Sequence, residues 1–336
     1  AIRRAGPRTG VGPPGGGASV LIRGIQNFGN SQPLYVIDGV QVNSMQNVNP
    51  NDIESIQILK DPGSYAIYGV AGGNGVVVIT TKKGKAGAST ISYDAYYGTQ
   101  VPKGGNVFNI LSPQGMSHMS YLAGDQSVYS KIYPGGAGTV PDYGYQGPGA
   151  SGVAGGPGAN PVGDLLSKYN FDASNTANDF LIQKFNQSGT DWFHALFKAA
   201  PEQYHTVTAS GANDKNNYYM SLGYLDQQGT EVYTYYKRYE ARINTNFNIA
   251  KNLRVGETGY LFYGLSPFGQ GGISNQNEGD AISNTYRIMP QIPVYDISGT
   301  HFGGTYDGPG GEPLGNGANP VAQAYQYQNA YSKNWN

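Results

Sequence analysis

The sequence predicts a transmembrane, antiparallel β-barrel whose strands follow a compact α+β unit. Three observations predict it. In the clearest stretch, Arg238 to Ile249, Tyr239, Ala241, Ile243, Thr245, Phe247 and Ile249 share one face, while Arg238, Glu240, Arg242, Asn244, Asn246 and Asn248 share the other. Stretches of this kind are joined by connections that are short and long in turn. No run approaches the roughly 18 apolar residues of a membrane-spanning helix; the longest is Val76-Val77-Val78-Ile79.

Composition narrows the function classes. The 336 residues include 51 Gly and 28 Tyr, and only 13% are charged, unlike an ordinary soluble enzyme. There is no cysteine, which removes disulfides and thiolate metal sites. The net charge of −1 offers nothing to nucleic acid. A mean hydropathy of −0.43 is compatible with barrel strands, because their lipid-facing and lumen-facing residues average out.

The elements follow in order. Ala1 to Gly17, rich in Gly, Pro and Arg, is expected to be a loop. From Ala18 to Lys83 the chain predicts the α+β unit. Ser19 to Arg23 and Leu34 to Ile37 are strands, and Asp38-Gly39 is a hairpin turn returning through Val40 to Val42. Asn49 caps a short helix with Pro50 at its first position. Ser55 to Leu59 is the next strand, Asp61-Pro62 opens a helix that Gly69 ends, and Val76 to Thr80 is a buried strand.

Beyond Ser89 the alternation lengthens. Ile91 to Gly98, His205 to Gly211, Asn217 to Leu225, Arg238 to Ile249 and Leu253 to Tyr263 predict five strands. Glu257 interrupts the apolar face of the last, so it must lie near an interface, be paired, or mark a register error. Gly211 to Asn216 and Ala250 to Asn252 are the short turns; Val101 to Tyr204, Asp226 to Lys237 and the segment after Gly264 are long. Barrels of the outer membrane place short turns in the periplasm and long loops outside. The first long loop is expected to hold helices from Ser112-Pro113 and over Trp192 to Phe197, separated by an irregular Gly/Pro-rich segment, Tyr133 to Gly163.

The motifs are specific in their order. They are Val20-Leu-Ile-Arg-Gly24, Pro33-Leu-Tyr-Val-Ile-Asp-Gly-Val40, Asn49-Pro-Asn-Asp-Ile-Glu-Ser-Ile56, Leu59-Lys-Asp61, Ala66-Ile-Tyr-Gly69, Asn74-Gly-Val76 and Ile79-Thr-Thr-Lys-Lys-Gly84. Together they resemble the plug domain of TonB-dependent outer-membrane transporters of the SusC/RagA family. Later stretches, among them Ser221-Leu-Gly-Tyr224, Lys237-Arg-Tyr239 and Ile292-Pro-Val-Tyr-Asp296, resemble the barrel of the same family.

The resemblance implies a plug at 1–88 inside the lumen, and at 89–336 the first strands of a large barrel, 22-stranded when complete. Five strands cannot close, and open edges are not tolerated in lipid, so a longer polypeptide is expected. The implied activity is active import of an oligosaccharide or peptide across the bacterial outer membrane. The implied partners are a SusD-like surface lipoprotein, the TonB–ExbB–ExbD complex and outer-membrane lipid. A structural or secretion-associated outer-membrane role is the alternative. No cofactor, metal or catalytic group is expected: His118, His194, His205 and His301 have no ligand-like spacing, and Gly72-Gly73-Asn74-Gly75 lacks the Gly-Lys-Ser/Thr of a phosphate loop.

Two groups of residues are candidates for function. Tyrosines at strand ends, Tyr97, Tyr224, Tyr239 and Tyr263, suit an aromatic girdle. Loop tyrosines offer stacking faces to a substrate, with Tyr133, Tyr143, Tyr145, Tyr235 and Tyr236 the foremost candidates. Arg23 and Glu54 are expected either to latch the N-terminal unit to Arg238, Glu240 or Arg242, or to be solvated. Lys82 to Lys85 is expected to be the hinge into the first strand.

Overall fold

Backbone hydrogen bonding sorts the chain into a small mixed sheet, a long strand wall and a loop layer. The computed structural model describes residues 3–5, 14–15, 19–22, 32–42, 44–45, 48–85, 87–124, 126–267, 281–304, 317–326, 328 and 331–335. Strands β1 (Arg3–Ala5) and β2 (Ser19–Leu21) pair antiparallel. The stretch expected as a loop thus contributes three residues to a ladder, which meets their backbone hydrogen-bonding needs.

β3 (Leu34–Ile37), β4 (Val40–Val42), β5 (Ile53–Leu59) and β6 (Val76–Thr81) form a four-stranded sheet in the order β4-β3-β6-β5. Asp38 and Gly39 both take positive φ, 49° and 90°, as the tight β3–β4 turn requires. β6 is central, parallel to β3 and antiparallel to β5, and packs on both faces; hence its unbroken apolar run. Ile22, Tyr35, Val77 and Ile79 form its core. Asn49 accepts a hydrogen bond from the Asn51 N–H at 2.8 Å and caps a 3₁₀ turn, Pro50–Asp52. Helix α1 (Pro62–Tyr65) runs into a 3₁₀ segment, Ala66–Gly72, kinked at Gly69 (φ 58°). Gly69, with its non-helical backbone, ends the helical run begun at Pro62, and a second short turn follows it.

β7 (Gly87–Gln100) opens the wall. The first long connection carries α2 (Pro113–Leu122), α3 (Gln126–Ile132), β8 (Tyr143–Gly147), β9 (Ala150–Ala154), β10 (Leu181–Lys184) and α4 (Trp192–Leu196). β8 and β9, inside the segment expected to be irregular, join β10 in a small antiparallel sheet. Its glycines concealed the alternation that marks strands. The wall continues as β11 (Ala200–Ala212), β12 (Asn216–Gln228), β13 (Tyr235–Ala250) and β14 (Leu253–Pro267). After helices α5 (Ala281–Arg287) and α6 (Pro320–Gln326), β15 (Tyr331–Trp335) pairs with β14.

The wall is one antiparallel sheet, β15-β14-β13-β12-β11-β7. β7 and β11 to β14 are 13 to 16 residues long, more than the about 9–11 needed to cross a bilayer. All five strands read from sequence are present, each longer than expected. The register brings Tyr224, Tyr239 and Tyr263 side by side, and the row extends through His205 to Tyr93, with neighbouring ring centroids 5.0–6.3 Å apart. Tyr93 occupies the place in the row expected of Tyr97. Below it Leu222, Met220, Ala241, Ile243, Leu261 and Val255 continue the same outward face. Glu257 lies on this face opposite Thr245, so the register holds. It sits four residues from the start of β14 at Leu253, roughly 13 Å along the strand.

Candidate functional site

The inward face of the wall meets the N-terminal unit at one buried ionic cluster. Alternation points Tyr219 and Ser221 of β12, and Arg238, Glu240 and Arg242 of β13, to the same side. The 3₁₀ turn capped by Asn49 delivers Asp52 to them, only 1% exposed. Asp52 accepts from Tyr219 Oη at 2.8 Å, Ser221 Oγ at 3.0 Å and Arg242 Nε at 3.2 Å. Arg242 Nη1 also lies 3.7 Å from Asp38 Oδ2 in the β3–β4 turn, and its guanidinium covers the Tyr260 ring at 4.7 Å. Two carboxylates from separate turns thus share one cation, and each buried charge is matched, as burial demands.

The same corner is bound to the end of β6. The Thr81 N–H donates to Asp38 Oδ1 at 2.8 Å, and the Lys82 N–H donates to the Asp52 carbonyl at 2.8 Å. Next comes Gly84, where an added Cβ would strike the carbonyl oxygens of Gly211 and Tyr218. Only glycine lets the connector lie against the β11–β12 turn. A second ionic group stands further along the wall. Glu240 accepts from Tyr204 Oη at 2.8 Å and Tyr260 Oη at 3.1 Å, and its Oε2 lies 3.1 Å from Arg238 Nε as an ion pair.

The expected latch residues are thereby revised. Arg242 does bind the N-terminal unit, but its partners are Asp52 and Asp38. Glu54 pairs at 3.9 Å with Lys85 in the connector, both side chains reaching solvent. Arg23 lies outside the described residues. Asp52 and Asp38 were legible only as cap-turn and hairpin residues; their second role depends on β13, nearly 200 positions away.

The five foremost tyrosines do not come together. Tyr133 is a core residue of the loop layer, 1% exposed, packed with Ile132, Trp192 and Ile292; Gln291 Nε2 donates to its hydroxyl at 2.8 Å. Burial pushes its pKa up to about 12. Tyr143 and Tyr145 are half-buried on β8, the latter stacked on Phe180 at 6.0 Å. Tyr235 and Tyr236 are half-buried at the start of β13, and a Cβ at Gly15 would strike the Tyr236 ring.

A compact unit ionically seated on the inward face of a wall of membrane-length strands defines the plug-and-wall arrangement of a TonB-dependent receptor. Comparison with known proteins agrees. Residues 3–76 match the TonB-dependent Receptor Plug Domain family. TonB-dependent receptor P39 of Formosa agariphila is 30% identical over 292 residues, 87% of this chain and 23% of the relative. TonB-dependent receptor SusC of Bacteroides thetaiotaomicron is 27% identical over 304 residues, 84% of this chain and 23% of the relative. The solved structure of the RagAB peptide transporter aligns with a TM-score of 0.62 at 26% identity, covering 87% of this chain and 31% of that one. The chain belongs to the SusC/RagA family of TonB-dependent receptors. It spans about a quarter of the length of the curated relatives it matches.

Proposed function

We propose that this chain is the plug (1–88) and the first strands (89–336) of an outer-membrane channel that imports a nutrient. In this reading the wall continues into a closed barrel of 22 strands around the plug, which is why the open edges of β7 and β15 find partners. The Arg242–Asp52–Asp38 cluster carries the proposal, because it seats a separate unit against the lumen side of the wall. The TonB–ExbB–ExbD complex would supply the energy to displace that unit. A SusD-like surface lipoprotein would cover the loop layer, as the pairing in RagAB suggests. The cargo would be an oligosaccharide or a peptide, with Tyr143, Tyr145, Tyr235 and Tyr236 remaining substrate candidates.

Fractionation and uptake test this reading together. The protein should be recovered from the outer membrane with a co-purifying lipoprotein, and its deletion should abolish TonB-dependent growth on one nutrient class. Recovery without a lipoprotein and with no growth defect would favour a structural or secretion-associated role.

A further inference from the structure

The outward face of the wall carries a carboxylate among apolar side chains. Alternation along β14 points Leu253, Val255, Glu257, Gly259 and Leu261 to the same side. Val255 and Leu261, 47% and 69% exposed, stand on either side of Glu257 along the strand. Among the described residues Glu257 has no hydrogen bond or ion pair. A charge facing lipid is costly, so its surroundings must supply a partner.

Glu257 stands at one end of a groove of about 590 Å³ in this face. The groove exists because small residues interrupt the larger ones. The register sets Ala241 between Leu222 and Leu261, and in the next row sets Gly259 beside Ile243. The groove thus runs from the carboxylate past Gly259 to Ala241, with Leu222 and Leu261 as its banks. An added Cβ at Gly259 would come within 3.1 Å of Ile243 Cγ2, so a side chain there would crowd the floor. Ser221, Arg242 and Tyr260 reach the lining from the inward side, where Arg242 is committed to Asp52 and Asp38. No lysine, histidine or outward-pointing arginine lines the groove.

Depth decides what can meet this carboxylate. Glu257 lies roughly 13 Å along β14 from the turn after Ala250. That turn is on the same side of the wall as the Gly84 connector. At a strand tilt of about 45°, the distance is about 9 Å along the membrane normal. The headgroup layer is about 5–8 Å thick on each side of a hydrocarbon core of about 30 Å. Glu257 therefore meets the boundary between headgroups and chains in the leaflet on the connector side. From Glu257 to Leu261 is roughly 13 Å, close to one leaflet's chain depth of about 15 Å.

We propose that this groove binds a phospholipid of that leaflet whose headgroup ends in a primary ammonium. The ammonium pairs with Glu257, and one acyl chain lies over Gly259 and Ala241. An anionic headgroup would be repelled by the carboxylate. A second copy of this chain would bury Glu257 with no cation in the groove to balance it. The inference rests on the outer-membrane reading proposed above and adds a bound lipid to it.

Native mass spectrometry of the protein purified from outer membranes tests this, with phosphatidylethanolamine and phosphatidylglycerol as probes. Through delipidation the protein should retain phosphatidylethanolamine about tenfold better than phosphatidylglycerol. Glu257→Gln should abolish that preference. Ala241→Trp should cut retention of phosphatidylethanolamine by a similar factor by filling the groove. Equal retention of the two lipids, a preference unchanged in Glu257→Gln, or retention unaffected by Ala241→Trp would each overturn the proposal. The wild-type comparison alone decides if a variant fails to assemble. A protein that resides in the outer membrane with a lipoprotein but shows no lipid preference loses this inference alone; loss of that residence overturns import itself.

Discussion

Replacing Arg242 with Gln should loosen the plug from the wall. Asp52 and Arg242 are both at most 5% exposed, and removing one partner of such a pair costs about 3–5 kcal/mol. The lower end applies here. Asp52 keeps the hydroxyls of Tyr219 and Ser221, at 2.8 and 3.0 Å, so its charge is only partly orphaned. About 3 kcal/mol corresponds to a roughly hundredfold increase in the undocked population. Hydrogen exchange reads it at the Lys82 amide, which is bonded to the Asp52 carbonyl at 2.8 Å and should exchange about a hundred times faster. Asp52→Asn should cost less, because Arg242 retains Asp38. The double variant should cost clearly less than the sum, with a coupling of at least about 1 kcal/mol. Strictly additive effects, or unchanged exchange at Lys82, would refute the latch.

Three further outcomes are expected. Ile243→Arg, on the outward face, should destabilise the wall by about 2–4 kcal/mol, whereas Asn248→Arg, at the exposed inward end of β13, should cost little; heat-modified gel mobility compares them. Asn244 is unsuitable as that control, since it is 1% exposed beneath the plug. Gly84→Val should push the connector off the β11–β12 turn, at about 1–3 kcal/mol, and speed tryptic cleavage at Lys82 to Lys85; an unchanged cleavage rate would contradict the contact. Tyr133, with its pKa raised from 10.0 to about 12, should resist ionisation. The unfolded chain loses that proton near pH 10 and the folded one near pH 12, so stability falls across this window by up to about 3 kcal/mol; Tyr133→Phe should flatten that loss in an alkaline unfolding series.

Legibility followed the physics of each element. Arg238 to Ile249 was plain because a strand between lipid and a polar interior must alternate. The Asp38-Gly39 turn was plain because few residues accept two successive positive φ values. β8 and β9 were hidden: Gly144 and Gly147 in the one and Gly152 in the other remove side chains from strands only five residues long, and the period of two disappears. Helices α5 and α6 were also unseen, being short and defined by what they pack against. At the site, Arg242 was visible as a charge on the right face. Its partners were not, because Asp52 and Asp38 already had sufficient local reasons to be there.

The corner at Asp38, Asp52, Thr81 and Lys82 joins the plug to the wall twice at one place, through the chain itself and through Arg242. A second attachment lies further along the wall, where the Gly15 N–H donates to Gln227 Oε1 at 2.8 Å. Mechanically this is a door bolted beside its hinge and latched again at a distance from it. Force applied near the second latch has the longer lever arm about the corner, so that edge can give while the bolt holds. Force transmitted along β6 meets bolt and hinge together, in shear, where resistance is greatest. The point at which a pull is applied would therefore decide whether the plug tilts within its barrel or leaves its seat.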